Sequence, residues 1–161
     1  MRCILLLKLI IFLNILVYSQ SNCACCEGAY TDFNFWIGNW EVVDTNGQIV
    51  GHNTISYKED SCVMMEEWKS SNSTGTSYSY YNRTDQSWNQ VWVDNNGGNL
   101  TLKGKFEDGS MVMTMVVNDS LSHQVKWTEQ ENGTVTQDWN LINTKRGLSK
   151  QLFYGIYRRI E

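Results

Sequence analysis

Residues 88–94 read Trp-Asn-Gln-Val-Trp-Val-Asp. The segment alternates with the period of two that belongs to a β-strand. Trp88, Gln90, Trp92 and Asp94 fall on one face, and Asn89, Val91 and Val93 on the other. A dry core disfavours the lone amide of Gln90, because an unpaired buried polar group is costly. A solvated face has no use for two indoles. A cavity wall suits both, so this strand is expected to line a hollow inside an all-β fold.

Outward from this strand the same grammar repeats. Proline is absent from the 161 residues, so turns fall to Gly, Asn and Asp. Asn46-Gly47, Asn96-Gly97-Gly98, Asp108-Gly109 and Asn132-Gly133 are hairpin signals. Between them lie segments rich in Val, Ile, Thr, Tyr and Trp, which predict strands near 37–44, 49–58, 62–71, 76–83, 86–94, 99–106, 110–117, 122–130, 133–142 and 150–160. A short helical turn is expected over 27–35. Ten antiparallel strands with short connections make a meander, and closure into a barrel removes its free edges. A two-sheet sandwich competes, but it more often needs long crossing connections, and none is visible.

The amino terminus reads differently. Met1, Arg2 and Lys8 precede an apolar run from Leu9 to Val17, and Val17 and Ser19 suit a cleavage site before Gln20. Residues 1–19 are therefore expected to be a secretory signal peptide. Residues 20–34 form a cysteine-containing arm and 35–161 the barrel. The expected location is secreted or periplasmic, with no stable membrane span once the signal is removed. The chain carries five cysteines. Cys3 lies in the signal, and Cys23, Cys25, Cys26 and Cys62 are free to pair in an oxidising compartment. A bridge from the 23–26 cluster to Cys62 is the first expectation, with the full pairing open. The formal net charge is −4, with few clustered basic residues, which argues against nucleic acid as a partner.

The segment Phe35-Trp36-Ile37-Gly38-Asn39-Trp40 resembles the Gly-x-Trp signature of lipocalins and fatty-acid-binding proteins, the calycins. The resemblance implies that Trp40 closes one end of the barrel after Gly38. An Arg near the last strand would pack across it, here Arg158 or its neighbour Arg159. Further motifs resemble a group of uncharacterised exported bacterial proteins with a lipocalin-like β-barrel. These are FNFWIGNWEV at 33–42, SCVMMEEW at 61–68, WNQVWVD at 88–94, DGSM at 108–111, KWT at 126–128, VTQDW at 135–139 and FYGIYRR at 153–159. That likeness implies a fold and carries no reaction with it.

Several strands place rings and amides together. Glu66 and Trp68, then Trp88, Gln90 and Trp92, then Gln137 and Trp139 share one device, with Tyr78 and Tyr80 expected beside them. Together they predict a lumen for a small hydrophobic or aromatic ligand. The competing reading is a filled barrel whose polar groups satisfy one another. Glu66 could serve as a general acid or base in an enzyme built on the same lumen, or be a hydrogen-bonded structural residue, paired for example with Arg158. No cofactor is predicted. The resemblance to lipocalin-like barrels implies that haem would be held by a His on a late strand, and here only His52 and His123 exist. Met111, Met113 and Met115 share one face and read as core packing. Asp94 is expected to cap a turn. Five Asn-x-Ser/Thr sites, at Asn72, Asn82, Asn99, Asn118 and Asn132, read as turn composition.

Overall fold

A computed structural model describes residues 23–161. The expected signal peptide and its cleavage site lie outside the described residues. Two short 3₁₀ turns, Gly28–Thr31 and Asn34–Trp36, lead into ten strands. These are β1 (Gly38–Val43), β2 (Ile49–Lys58), β3 (Val63–Lys69), β4 (Thr74–Asn82) and β5 (Ser87–Asp94), then β6 (Asn99–Glu107), β7 (Ser110–Asn118), β8 (Leu121–Glu129), β9 (Val135–Asn143) and β10 (Leu148–Arg159). Each strand pairs antiparallel with its sequence neighbours, and β1 also pairs with β10, so the sheet is a closed barrel. All ten strands expected from the alternation are present. Closure leaves no free sheet edge, which is why a meander of this length does not offer itself to other chains.

Turn chemistry holds the hairpins in register. Asp44 Oδ1 accepts the backbone N–H groups of Asn46 (2.8 Å) and Gln48 (2.9 Å). Asp94 repeats the device with Asn96 (2.8 Å) and Gly98 (2.9 Å), as its expected capping role requires. Register shifts mark β1–β2 at Val42/Val43, β7–β8 at Val116/Asn118 and β9–β10 at Gln151/Phe153. They lie toward the same end of the barrel, and bulges are common at barrel rims, where they add curvature.

The opposite end is closed. The arm inserts Phe33 and Trp36, both fully buried, beneath Trp40, Trp88 and Trp127. Phe33 stacks on Trp36 with ring centroids 4.9 Å apart and meets Trp127 at 5.3 Å and Trp88 at 5.7 Å. Trp40 Nε1–H donates to the Trp36 carbonyl (2.9 Å), and Trp88 Nε1–H to that of Ala29 (3.1 Å), so the indoles also fasten the arm. A disulfide completes the attachment. Cys25–Cys62 joins the arm to the start of β3, as first expected, and Cys23–Cys26 closes a loop within the arm.

The residue across Trp40 is Arg159, and this corrects the assignment to Arg158. Trp40 and Arg159 are register partners and so share the inner face, whereas Arg158 lies opposite Glu41 on the outer one. The Arg159 guanidinium sits 4.3 Å from the Trp40 ring centroid and donates from Nη1 to the Ile37 carbonyl (2.9 Å). Gly38 has φ of +143°, and a Cβ there would strike the same guanidinium. The glycine of the Gly-x-Trp segment is thus required twice, by its backbone and by the arginine.

Candidate functional site

Alternation places Gly51, Asn53 and Ile55 of β2, Met64, Glu66 and Trp68 of β3, and Trp88, Gln90 and Trp92 of β5 on the inner face. On β4 the inner residues are Gly75, Ser77, Ser79 and Tyr81. Tyr78 and Tyr80 therefore point outward, 49% and 41% exposed, and do not join the lumen as expected. The reason is space. Ser77 stands opposite both Glu66 and Trp92, and Ser79 opposite Gln90, so β4 must present small groups to larger partners.

Above the closed end the barrel is hollow. A cavity of about 260 Å³ is lined by Trp68, Trp92, Trp139, Phe153, Leu100 and Leu102 on its walls. Val125, Trp127, Tyr157 and three polar residues, Glu66, Gln90 and Gln137, complete the inner lining. Ser73 and Asp94, at the β3–β4 and β5–β6 turns, lie at its mouth. Of the residues expected here, Glu66, Trp68, Gln90, Trp92, Gln137 and Trp139 are brought together. Trp88 is not; it belongs to the aromatic plug beneath.

The hollow exists because its rings lie against backbone. A Cβ on Gly51 would meet the Trp68 ring, one on Gly75 the Trp92 ring, and one on Gly155 the Phe153 ring. Each glycine removes the side chain that would otherwise prop its aromatic neighbour into the lumen. These glycines, with Phe153 and Tyr157, were missed from the sequence. Their signal was available: isolated glycines at inward positions of otherwise β-branched and aromatic strands.

Polar groups form a belt between cavity and plug. Glu66 is 6% exposed. Its Oε1 accepts from Asn53 Nδ2 (2.7 Å) and its Oε2 from the Ser77 hydroxyl (2.6 Å). The suggested pairing with Arg158 is replaced by these two neutral donors. Burial pushes the carboxyl up from 4.5 to about 6, against the lowering effect of both hydrogen bonds. Gln90 Nε2 donates to Ser79 Oγ (3.0 Å), and the Tyr157 hydroxyl donates to Gln137 Oε1. Burial, and then the Glu66 charge, push the Tyr157 phenol well above its ordinary value, so it stays a neutral donor. At the mouth, backbone N–H groups of Gly98 and Asn96 hold Asp94 below the usual carboxylate range.

Two buried polar atoms here lack a partner among the described residues, Asn53 Oδ1 and Trp127 Nε1. On the wall, Trp139 Nε1–H donates to His123 Nδ1 (3.0 Å), which engages that imidazole nitrogen. No group of three or more His, Cys, Asp or Glu side chains among the described residues is arranged to hold a metal ion. No protein-family model matches the chain, and no curated protein does. The closed ten-stranded antiparallel barrel is consistent with a calycin-like fold.

Proposed function

We propose that this is an exported protein that binds a small, partly apolar or aromatic molecule in its barrel lumen. One observation carries the reading: an aromatic-walled cavity of about 260 Å³ with hydrogen-bonding groups at its inner end. Its size lies just below the roughly 300–1,000 Å³ of drug-sized sites, so the ligand is small. Flat indole faces accept a ring or a short apolar chain, while Gln90, Gln137 and Glu66 orient its polar end. Export is supported by the amino-terminal pattern and by two disulfides, which persist in oxidising compartments. Membership of a lipocalin-like family of exported bacterial proteins rests on the motif resemblance and the barrel topology.

The raised Glu66 carboxyl favours one second reading, an enzyme in which Glu66 moves a proton to or from a bound substrate. An unaltered turnover rate in Glu66→Gln, once a substrate is in hand, removes that reading.

Native mass spectrometry of the protein purified from its own source tests the binding function. An adduct that dissociates to a small molecule, and tryptophan quenching by neutral aromatics or medium-chain alcohols, are the expected results. Gln90→Leu should weaken that quenching. A bare polypeptide mass, together with fluorescence indifferent to every such probe, would mean that the lumen is not a binding site.

A further inference from the structure

The lumen is unbalanced in charge. Among the described residues its lining contains two carboxylates, Glu66 at the inner end and Asp94 at the mouth, and no Lys, Arg or His. Glu66 is almost completely buried, yet both hydrogen-bond donors on it are neutral. Neither ion pair among the described residues, Lys103–Asp85 or Lys105–Glu107, involves it. A buried carboxylate without a counter-charge is costly, and proteins seldom keep one without a use. Beside it, the buried Asn53 Oδ1 accepts no hydrogen bond from the described residues, so a donor brought by a ligand would find a second acceptor next to the carboxylate. The walls are built from the rings of Trp68, Trp92, Trp139 and Phe153. Indole is the side chain that best attracts a cation by its ring quadrupole. Asp94, held ionised at the entrance, adds negative potential where a ligand enters.

These features select against a carboxylate ligand, which would find no cation to meet and two anions to pass. They suit a molecule that brings its own positive charge and its own donors. Resting on the lumen-binding reading above, we propose that the ligand is a small amine. Its ammonium group sits on the Glu66 carboxylate, and its apolar or aromatic body lies among Trp68, Trp92, Trp139 and Phe153. The ammonium supplies the missing counter-charge and up to three N–H donors, and a charge-assisted hydrogen bond in a dry site is the strongest kind available.

Three probes of matched shape test the assignment on the full mature chain by calorimetry and tryptophan quenching, at neutral pH and physiological salt. They are 2-phenylethylamine, 2-phenylethanol and 3-phenylpropanoate. The amine should bind at least about tenfold tighter than the alcohol, as hydrogen bonds to charged groups exceed neutral ones, and the carboxylate weakest of all. In Glu66→Gln the gap between amine and alcohol should close. Should that variant not fold, the ranking on the unaltered protein decides the class by itself. Equal binding of amine and alcohol, or preference for the carboxylate, would overturn the amine assignment and leave the lumen as a binding site. Persistence of the gap in Glu66→Gln would overturn the role of Glu66, attributing the preference to the acidic surface. Indifference to all three probes would remove the amine assignment and count against the lumen reading itself.

Discussion

At the closed end of the barrel Trp36, Trp40, Trp88 and Trp127 pack with Phe33 in one core cluster; at the open end Trp68, Trp92 and Trp139 stand around empty space. The two halves use the same residue type, on β5 even within one strand, and reach opposite packing. The closed half is filled because the arm inserts two aromatics from outside the sheet, held by Cys25–Cys62 and by indole hydrogen bonds. The open half receives no insert from the described residues, and its rings settle over Gly51, Gly75 and, for Phe153, Gly155. Aromatic content therefore does not decide between core and cavity. What decides is whether each ring's neighbour pushes it inward or lets it lie down.

The contrast can be broken most forcefully at Phe33, whose ring meets those of Phe35, Trp36, Trp88 and Trp127. Phe33→Ala should lower stability by about 3–5 kcal/mol, the usual loss for a buried Phe, in urea denaturation with the disulfides intact. A loss below roughly 1 kcal/mol would show that the plug is not a packed core. Next in size is Gly75→Ala, which forces the Trp92 ring off its seat. Overpacking of this kind costs about 1–3 kcal/mol, and the displaced indole should also shrink the cavity and weaken quenching by 2-phenylethanol. Unaltered quenching would mean that the glycine seats do not keep the lumen open.

The boundary between the halves can be probed through Glu66. Its folded pKa, about 6, lies above the ordinary 4.5, so the folded state holds the proton more tightly than the unfolded chain does. Stability from this group is fully present below pH 4.5 and is lost as pH rises through about 6, a change of roughly 2 kcal/mol. Asp44, Asp85 and Asp94 are shifted the other way and act at lower pH. Glu66→Gln should therefore flatten the stability profile between pH 4.5 and 7; an identical profile in the variant would show that the carboxyl is not buried as described. The smallest effect belongs to the outer face. Tyr80→Ser should change stability by no more than about 0.5 kcal/mol and leave probe affinity alone, whereas weakened binding would place Tyr80 back in the site.

Much of this was legible in the chain. Alternation with period two, together with Asn-Gly and Asp-Gly turns, located all ten strands, because side-chain direction in a strand follows from covalent geometry. It also put Trp88, Gln90, Trp92 and Asp94 on one face. The errors came where residue size was allowed to override that parity. Tyr78 and Tyr80 looked like lumen residues because they are aromatic, yet the inner positions of β4 are Gly75, Ser77 and Ser79. Arg158 and Arg159 are adjacent, and only pairing with Trp40 says which one faces inward.

Residue order alone settled the local facts: strand, turn, face, and a set of residues suited to a cavity or a core. It could not say how far along the barrel each inner residue sits, since height follows from register and from the tilt imposed by closure. That height separates Trp88, locked under the arm, from Trp92, beside the cavity, although both lie on one face of one strand four residues apart. The folded arrangement alone also brought Asn53 and Ser77 onto Glu66 without a cation nearby. Which partners meet a buried charge depends on contacts across strands, and nothing in the spacing of a single strand encodes them.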